Sequence, residues 1–570
     1  MEKKRKRKMK GAELLVAVLE EQGVTDVFGY PGGQVLYIYD ALYAARKKIR
    51  HILTAHEQGA AHAADGYARV TGKVGVVIAT SGPGATNLVT GIATAMLDSV
   101  PMVAITGNVP TTLIGRDAFQ EINITGVTMP ITKHNYFVQD VNELADTVRE
   151  AFMIAKSGRP GPVLIDVPKD VQCALCEYER SEPVGYFEED KADEADIEAA
   201  AKLINEAKRP YIYIGGGAAG AGIAEKTAEF AELTDAYIGC SFMGLSALPD
   251  GHARFLGMEG MHGRYASTMA NKEADLIIGI GVRFSDRATG KVEKYAKRAK
   301  IIQLDTDLSE INKNVQVDVG IVGNLRDSFA RLFEKCEKAD HPEWRELVSK
   351  LREEEERIEK ETEERSVSKT PPKKIFEIIN KYKSENDVIC TDVGQHQMWC
   401  AQNVRFSKPR RFASSGGLGT MGYGLGAAIG AVTAGNKRAV LITGDGSFAM
   451  NCSELATAVT YGMPIAIVLF DNGVLGMVRQ MQTLFFGKRY SNTVLERKTD
   501  FVKLAEAYGA KGERVTDVSG FEKAFSAAMK YKGPYVIDVV TDKDELVLPM
   551  MPPGGSIDDL ITEIKEEDRK

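Results

Sequence analysis

The sequence predicts an α/β protein of three doubly wound domains, each built on a parallel sheet. Three observations carry that reading. The chain has 570 residues, 44% hydrophobic and 26% charged, a globular composition on a chain too long for one hydrophobic core. Its strand-like segments are short, continuous apolar runs rather than alternating ones, as expected where helices cover both faces of a parallel sheet. The runs end in glycine-rich or polar turns and alternate with helical patterns, the rhythm of strand–helix–strand units.

Taken in order, residues 1–10 are strongly basic and read as a solvated tail. Glu13 and Glu20 interrupt the apolar stretch that follows, so the pattern there is an amphipathic helix and not a secretory signal. A first domain is expected over 11–180, with a strand-like segment at 49–55 and apolar runs at 74–80 and 101–106. A second, over 190–340, has runs at 210–215, 274–281 and 300–305. Residues 341–372 read as a charged linker, whose dense run at 350–369 suits a helix with a solvated face. Pro371 and Pro372 restart the chain. The third domain, 373–548, has strands at 439–443, 465–470 and 535–540. Residues 549–570 read as a C-terminal arm near the mouth of the site, with a disordered tail as the alternative.

The net charge of -7 argues against a nucleic-acid surface, which needs a concentrated positive field. No run approaches the roughly 18 apolar residues that would span a bilayer. A small-molecule target and no membrane are the expectations. Seven scattered cysteines fit a reducing cytoplasm better than a disulfide framework. Cys173 and Cys176 form the one CxxC, but no second ligand pair accompanies them, so packing is a better reading than zinc or redox chemistry.

The chemistry concentrates where the 439–443 strand ends. Gly444, Asp445, Gly446 and Ser447 stand at the carboxyl end of that strand, the edge at which open α/β sheets bind ligands. The glycines let backbone amides approach phosphate oxygens, and Asp445 is a hard oxygen ligand suited to Mg²⁺ that also grips phosphates. Alone, such a turn is more often only a turn. However, 24 residues lie between Gly446 and Asp471, room for one helix and one strand, which returns Asn472 to the same sheet edge.

This pattern resembles the cofactor motif of the thiamine-diphosphate enzymes, with Asp471 in place of the usual first Asn. The resemblance implies three domains of the thiamine-diphosphate-enzyme type, with Mg²⁺ on Asp445, Asn472 and the Val474 carbonyl. Gly444, Gly446, Ser447, Gly476 and Met477 would lie against thiamine diphosphate. It also singles out Glu57, which by itself reads as an ordinary carboxylate at a helix start. In this family that Glu contacts N1′ of the aminopyrimidine and drives the 4′-amine to its imino form, a local base. Gly419 would supply a carbonyl to the 4′-amine, Met421 would bend the cofactor, and Val393, Gly394, Gln395 and His396 would line the thiazolium and diphosphate. A hydrogen-bonded core histidine is the alternative for His396. Because the family builds each site between two chains, a homodimer or dimer of dimers with shared sites is expected.

Further strings, among them Phe28 to Gly33, Asp117 to Glu121, Gly260 to Gly263 and Leu475 to Gln480, resemble the catalytic subunits of the acetohydroxyacid (acetolactate) synthases. The resemblance covers residues 11–560. It implies decarboxylation of pyruvate and transfer of the two-carbon unit to a second 2-oxoacid in branched-chain amino-acid biosynthesis. Lys169, Arg283 and Gln120 would face the substrates, with Phe119, Met258 and Met481 shaping the pocket; surface ion pairs and core packing are the ordinary alternatives. Gly215, Gly216 and Gly217 follow a strand but form no clear GxGxxG, a weak signal by itself. The resemblance implies FAD there, in a structural role, on these glycines with Arg159, Gly260, Met261, His262, Arg283, Arg287, Glu310 and Ile311. Family members often bind a small regulatory subunit, which the resemblance makes a possible partner, and no stretch of the sequence reads as an appended regulatory domain. Met481 stands where biosynthetic members usually have Trp, which implies a weaker preference for 2-oxobutyrate. Gln34 stands where Ala is frequent. A catabolic acetolactate synthase, a pyruvate oxidase or another thiamine carboligase is the alternative, and a non-catalytic homologue a more distant one.

Overall fold

The computed structural model describes residues 7–187, 191–366, 368–436 and 438–563. Most of the basic segment (1–6) and the end of the expected arm (564–570) lie outside the described residues. Three six-stranded parallel sheets organise the chain. The first runs Arg50–Leu53, Asp26–Tyr30, Gly75–Ala79, Met102–Asn108, Pro162–Pro168, His134–Phe137 across its width. The third runs Phe412–Ala413, Val388–Thr391, Ala439–Gly444, Ile465–Asp471, Tyr535–Val540, Lys511–Val515. With strands numbered along the chain within each sheet, both follow the order 2-1-3-4-6-5. The central sheet is Phe255–Met258, Tyr237–Cys240, Pro210–Ile214, Leu276–Ile280, Lys300–Asp305, Val319–Val322. Its order, 3-2-1-4-5-6, is that of dinucleotide-binding folds.

The apolar runs form the strands for the expected reason. Every residue of Gly75–Ala79, Met102–Asn108, Pro210–Ile214 and Leu276–Ile280 is buried, as it must be when helices cover both faces. Because each sheet is parallel, the turns after the strands collect at one edge, and the direction of winding reverses between strands 1 and 3 of the first and third sheets and between strands 1 and 4 of the central sheet. Crevices open there.

The first and third domains are joined by two helices, Glu57–Thr71 and Gly424–Thr433, whose facing sides are small. A Cβ on Gly66 would lie 2.3 Å from the Ala427 carbonyl oxygen, and one on Gly430 1.9 Å from that of Ala63. Glycine at both positions lets the two backbones touch, which fixes the domains against each other.

Two expectations need correction. The basic tail does not stay solvated to Lys10: Arg7–Lys10 is a strand, paired antiparallel with Leu175–Tyr178. The lysines face solvent along its edge while Cys176 is buried and its Sγ donates to the Met9 carbonyl at 3.5 Å. The charged linker begins as core: Pro342–Arg365 is one helix of 24 residues, and Trp344 and Val348 are buried against the central domain, with Trp344 Nε1 donating to the Pro210 carbonyl at 3.1 Å. Pro372 sits at the start of the next helix, Pro372–Tyr382, where its missing N–H costs nothing. The seven cysteines are free, in keeping with packing for Cys173 and Cys176. Among the described residues no helix is long and apolar enough to cross a membrane.

Candidate active site

The expected convergence occurs at the edge of the third sheet. Strands Ala439–Gly444 and Ile465–Asp471 are adjacent and parallel, with Gly444 opposite Phe470. Asp445 opens the helix Asp445–Asn451, and its Oδ2 accepts the Gly473 amide at 2.9 Å while Oδ1 accepts the Gly446 amide at 2.9 Å. Asn472 Oδ1 accepts the Val474 amide at 3.1 Å, closing the turn beside it. The segment between is more broken than one helix and one strand: a second short helix, Leu455–Thr460, follows a 3-10 turn at Cys452–Glu454.

A cavity of about 1520 Å³ opens above this edge. Single ligand pockets run roughly 300–1,000 Å³, so this one has room for two cofactors. The third domain lines it with Val393, Gly394, Gln395, His396, Gly419, Met421, Gly444, Asp445, Gly446, Ser447, Asn472, Val474, Gly476, Met477 and Met481. Arg159 of the first domain and Gly215, Gly216, Gly217, Met258, Met261, His262, Arg283, Arg287 and Glu310 of the central domain line it too. Two residues expected among the latter do not line it. The Ile311 side chain packs over Gly320 of the outer strand, and Gly260, at φ +103°, sits where a Cβ would meet the Arg287 carbonyl.

The residues fit the implied groups. His396 is buried and its Nε2 has no partner, while the absence of a Cβ at Gly394 and Gly444 leaves its ring in place. Burial pushes His396 down to about 3, so the ring is neutral. Burial, and then the neighbouring Asp471 carboxylate, push Asp445 up to about 7. Two crowded carboxyls beside an amide oxygen and a carbonyl are a hard-oxygen set that a divalent cation would relieve. In the central domain, Gly215 sits against the Gly281 carbonyl at the point where the sheet reverses, and His262 Nδ1 and Glu310 Oε2 are buried without partners. Arg159 is held by Glu310 through Nη1 at 2.5 Å and by Ser99 Oγ at 2.8 Å.

Four expected site residues stand elsewhere. Glu57, Phe119, Gln120 and Lys169 do not line this cavity. They share the carboxyl edge of the first sheet, after strands Arg50–Leu53, Met102–Asn108 and Pro162–Pro168. Glu57 begins the helix Glu57–Thr71, and its Oε2 accepts Asn87 Nδ2 at 2.9 Å. Phe119 is 84% exposed, and Gln120 has φ +63° and packs against Gly82. Gln34, on the same edge, is half-buried with Oε1 unpartnered.

Polar residues missed in the sequence support these groups from a distance. Asn87 holds Glu57. Glu454, buried, accepts the Ala55 and His56 amides at 3.2 and 3.0 Å, fixing the turn into Glu57. Asp392, at the end of Val388–Thr391, accepts the Gly424 amide at 3.1 Å and Thr443 Oγ1 at 2.9 Å. None has a local motif, because each bonds across a long stretch of chain.

One buried acid on the cavity wall yields a stability prediction. Glu259 is 5% exposed, accepts Asn271 Nδ2 at 3.3 and 3.1 Å, and is pushed by burial up to about 8. A carboxyl raised in the folded state contributes stability below its unfolded value and loses it as pH rises through the folded one. Thermal midpoints of the wild type should therefore fall as pH rises from about 5 to about 8, by up to about 1.4 kcal/mol of stability per pH unit, and level off above pH 8. Glu259→Gln, with no proton to lose, should lack that slope; parallel pH profiles of the two proteins would refute this.

Comparison with known proteins agrees with the geometry. Residues 9–127 match the thiamine pyrophosphate enzyme N-terminal TPP binding domain, 197–332 the central domain and 392–539 the C-terminal TPP binding domain. The chain is 47% identical over 567 residues to the acetolactate synthase large subunit of Corynebacterium glutamicum, covering 97% of this chain and 90% of that one. It is 46% identical over 573 residues to the probable acetolactate synthase large subunit of Methanocaldococcus jannaschii, with 98% and 96% covered. It is 43% identical over 559 residues to the acetolactate synthase isozyme 2 large subunit of Escherichia coli, with 98% and 100% covered. The chain belongs to the thiamine pyrophosphate enzymes, in the family of the acetolactate synthase large subunits.

Proposed function

We propose that the protein is the catalytic subunit of an acetolactate synthase, which decarboxylates pyruvate and joins the two-carbon unit to a second 2-oxoacid. The products would be 2-acetolactate or 2-aceto-2-hydroxybutyrate, precursors of branched-chain amino acids. The observation that carries this reading is the meeting of Asp445 with the Asn472–Val474 turn inside a cavity that also exposes Met258, Arg283 and Met481.

When bound, thiamine diphosphate supplies a thiazolium carbon acid and an electron sink for decarboxylation. Asp445, Asn472 and the Val474 carbonyl would hold Mg²⁺, and Gly444, Gly446 and Ser447 would lie beside the diphosphate. Glu57 would hold the proton at N1′ of the pyrimidine, and the Gly419 carbonyl would accept from the 4′-amine. Met421 would press the cofactor from one side. Arg283, Lys169 and Gln120 would orient the substrate carboxylates. The glycine crevice of the central sheet, with Arg159, His262, Arg283, Arg287 and Glu310, would hold FAD in a structural role. The reading includes a shared-site homodimer, supported by the separation of Glu57, Phe119, Gln120 and Lys169 from the cavity that holds Asp445 in the same chain. The relatives' designation as large subunits supports a smaller regulatory partner. Free thiols support a reducing, cytoplasmic setting.

Product analysis tests the reading. The purified protein with thiamine diphosphate, Mg²⁺ and FAD should form acetolactate from pyruvate alone, and no acetolactate would refute the assignment. With equal 2-oxobutyrate added, the absence of a flat indole wall at Met481 should hold the preference for 2-oxobutyrate below about tenfold, the low end of what one methylene provides in a shaped pocket. Strong 2-oxobutyrate selectivity would overturn the role given to Met481.

A further inference from the structure

We propose that Asp98, backed by Arg69, is a positioning residue for the cofactor site: it clamps the loop that carries Gly419 and Met421. The inference rests on the cofactor roles proposed above. Residues 415–422 belong to the third domain, between Phe412–Ala413 and Gly424–Thr433, yet the first domain fixes them. Asp98 Oδ2 accepts the Gly416 amide at 3.0 Å and Oδ1 the Gly417 amide at 2.7 Å. Thr94 Oγ1 meets Thr420 Oγ1 at 2.8 Å, and Ser415 Oγ accepts the Thr420 amide at 2.9 Å. The loop is thus pinned on both sides of Leu418 and Gly419. Leu418 is exposed, and Gly419, at φ +69°, has open space around it.

The clamp is buried, and one guanidinium is shared between two carboxylates. The Asp98 side chain is 1% exposed and that of Arg69 is 7% exposed. Arg69 Nη2 donates to Asp98 Oδ2 at 2.8 Å and Nε to Asp65 Oδ1 at 2.6 Å, while the Tyr423 hydroxyl donates to Asp65 at 2.5 Å. Both oxygens of Asp98 are used by amides, so an Asn of the same shape would turn an NH₂ toward one of them. Gly417 leaves room for this approach: a Cβ there would lie 2.9 Å from Asp98 Oδ1 and 2.9 Å from Leu97 Cβ.

Arg69 lies in the last turn of the helix that Glu57 begins. Fifteen residues at about 1.5 Å each make a strut of roughly 22 Å. Glu57 does not face the cavity of its own chain. In a shared-site dimer, one helix therefore presents the catalytic acid to one site and braces the cofactor loop of the other.

The test uses the full-length holoenzyme. Asp98→Asn should raise the thiamine diphosphate concentration for half-maximal thermal stabilisation, and with it that for half-maximal activity, about 10- to 100-fold, as expected for loss of a charged acceptor, with kcat at saturating cofactor much less affected. Thr94→Val, which removes only the Thr420 contact, should shift it in the same direction by less. Mixed dimers, assembled from differently tagged chains and assayed at limiting thiamine diphosphate, give the decisive comparison. With Glu57→Gln on one chain and Asp98→Asn on the other, both lesions fall in one site and about half of wild-type activity remains. With both on one chain opposite a wild-type chain, each site carries one lesion, and activity falls well below half. Equal activity of the two hybrids, or an unchanged half-saturation in Asp98→Asn, overturns the proposal. A wild type that forms no acetolactate refutes the proposed function instead.

Discussion

Replacing Glu57 by Gln is expected to lower acetolactate formation by about 10²- to 10⁴-fold, the range of a lost acid–base group, while the fold and cofactor binding persist. Glu57 is the first residue of its helix, and the turn before it is held by other groups: His56 Nδ1 accepts the Gln58 amide at 3.1 Å, and Glu454 accepts the amides of Ala55 and His56. Its own contact, from Asn87 Nδ2 to Oε2 at 2.9 Å, can be kept by the carbonyl oxygen of Gln. The substitution therefore removes the ability to hold and release a proton and little else. Product formation from pyruvate and the thermal midpoint with and without thiamine diphosphate measure the two halves of the expectation. Near-wild-type product formation would remove Glu57 from the chemistry. A lost thermal response to the cofactor would mean that the site itself had collapsed.

The sheets were legible because a strand buried on both faces needs an unbroken apolar run, as in 210–214 and 465–470. The turn proposed to hold the metal was legible because its two halves lie on adjacent parallel strands, so that a spacing along the chain becomes a proximity in space. What could not be read was whatever depends on a distant partner. Arg7–Lys10 is a strand only because Leu175–Tyr178 lies beside it. Asp98 looks like an unremarkable helix-end acid, since the amides it holds are more than 300 residues away. Glu454 and Asn87 are invisible for the same reason. Resemblance supplied Glu57, whose local sequence shows only a helix start. It also extended the proposed flavin set to Ile311, whose side chain packs against Gly320.

For Asp445→Asn, activity and stability are expected to move in opposite directions. The carboxylate makes two backbone contacts, with Gly446 and Gly473, and an Asn can keep one of them through its oxygen. Burial and the Asp471 carboxylate already push the acid up to about 7, so a neutral amide relieves a like-charge contact. Without cofactor, the variant should melt at or above the wild-type temperature near neutral pH. With Mg²⁺ and thiamine diphosphate the order should reverse. A ligand at 100 times its Kd stabilises the folded state by about 2.7 kcal/mol, and the wild type should gain on that scale. The variant has lost the one full charge among the three proposed ligands, and Mg²⁺ binds hard anionic oxygen far better than an amide. Loss of a supporting partner alone weakens metal binding about 10- to 100-fold, so loss of the ligand should weaken it by more and abolish the thermal gain along with activity. Calorimetry or dye-based melting with and without Mg²⁺ and cofactor reads both directions at once. A variant that keeps the gain would place the metal elsewhere, and one that melts low without cofactor would make Asp445 a structural acid.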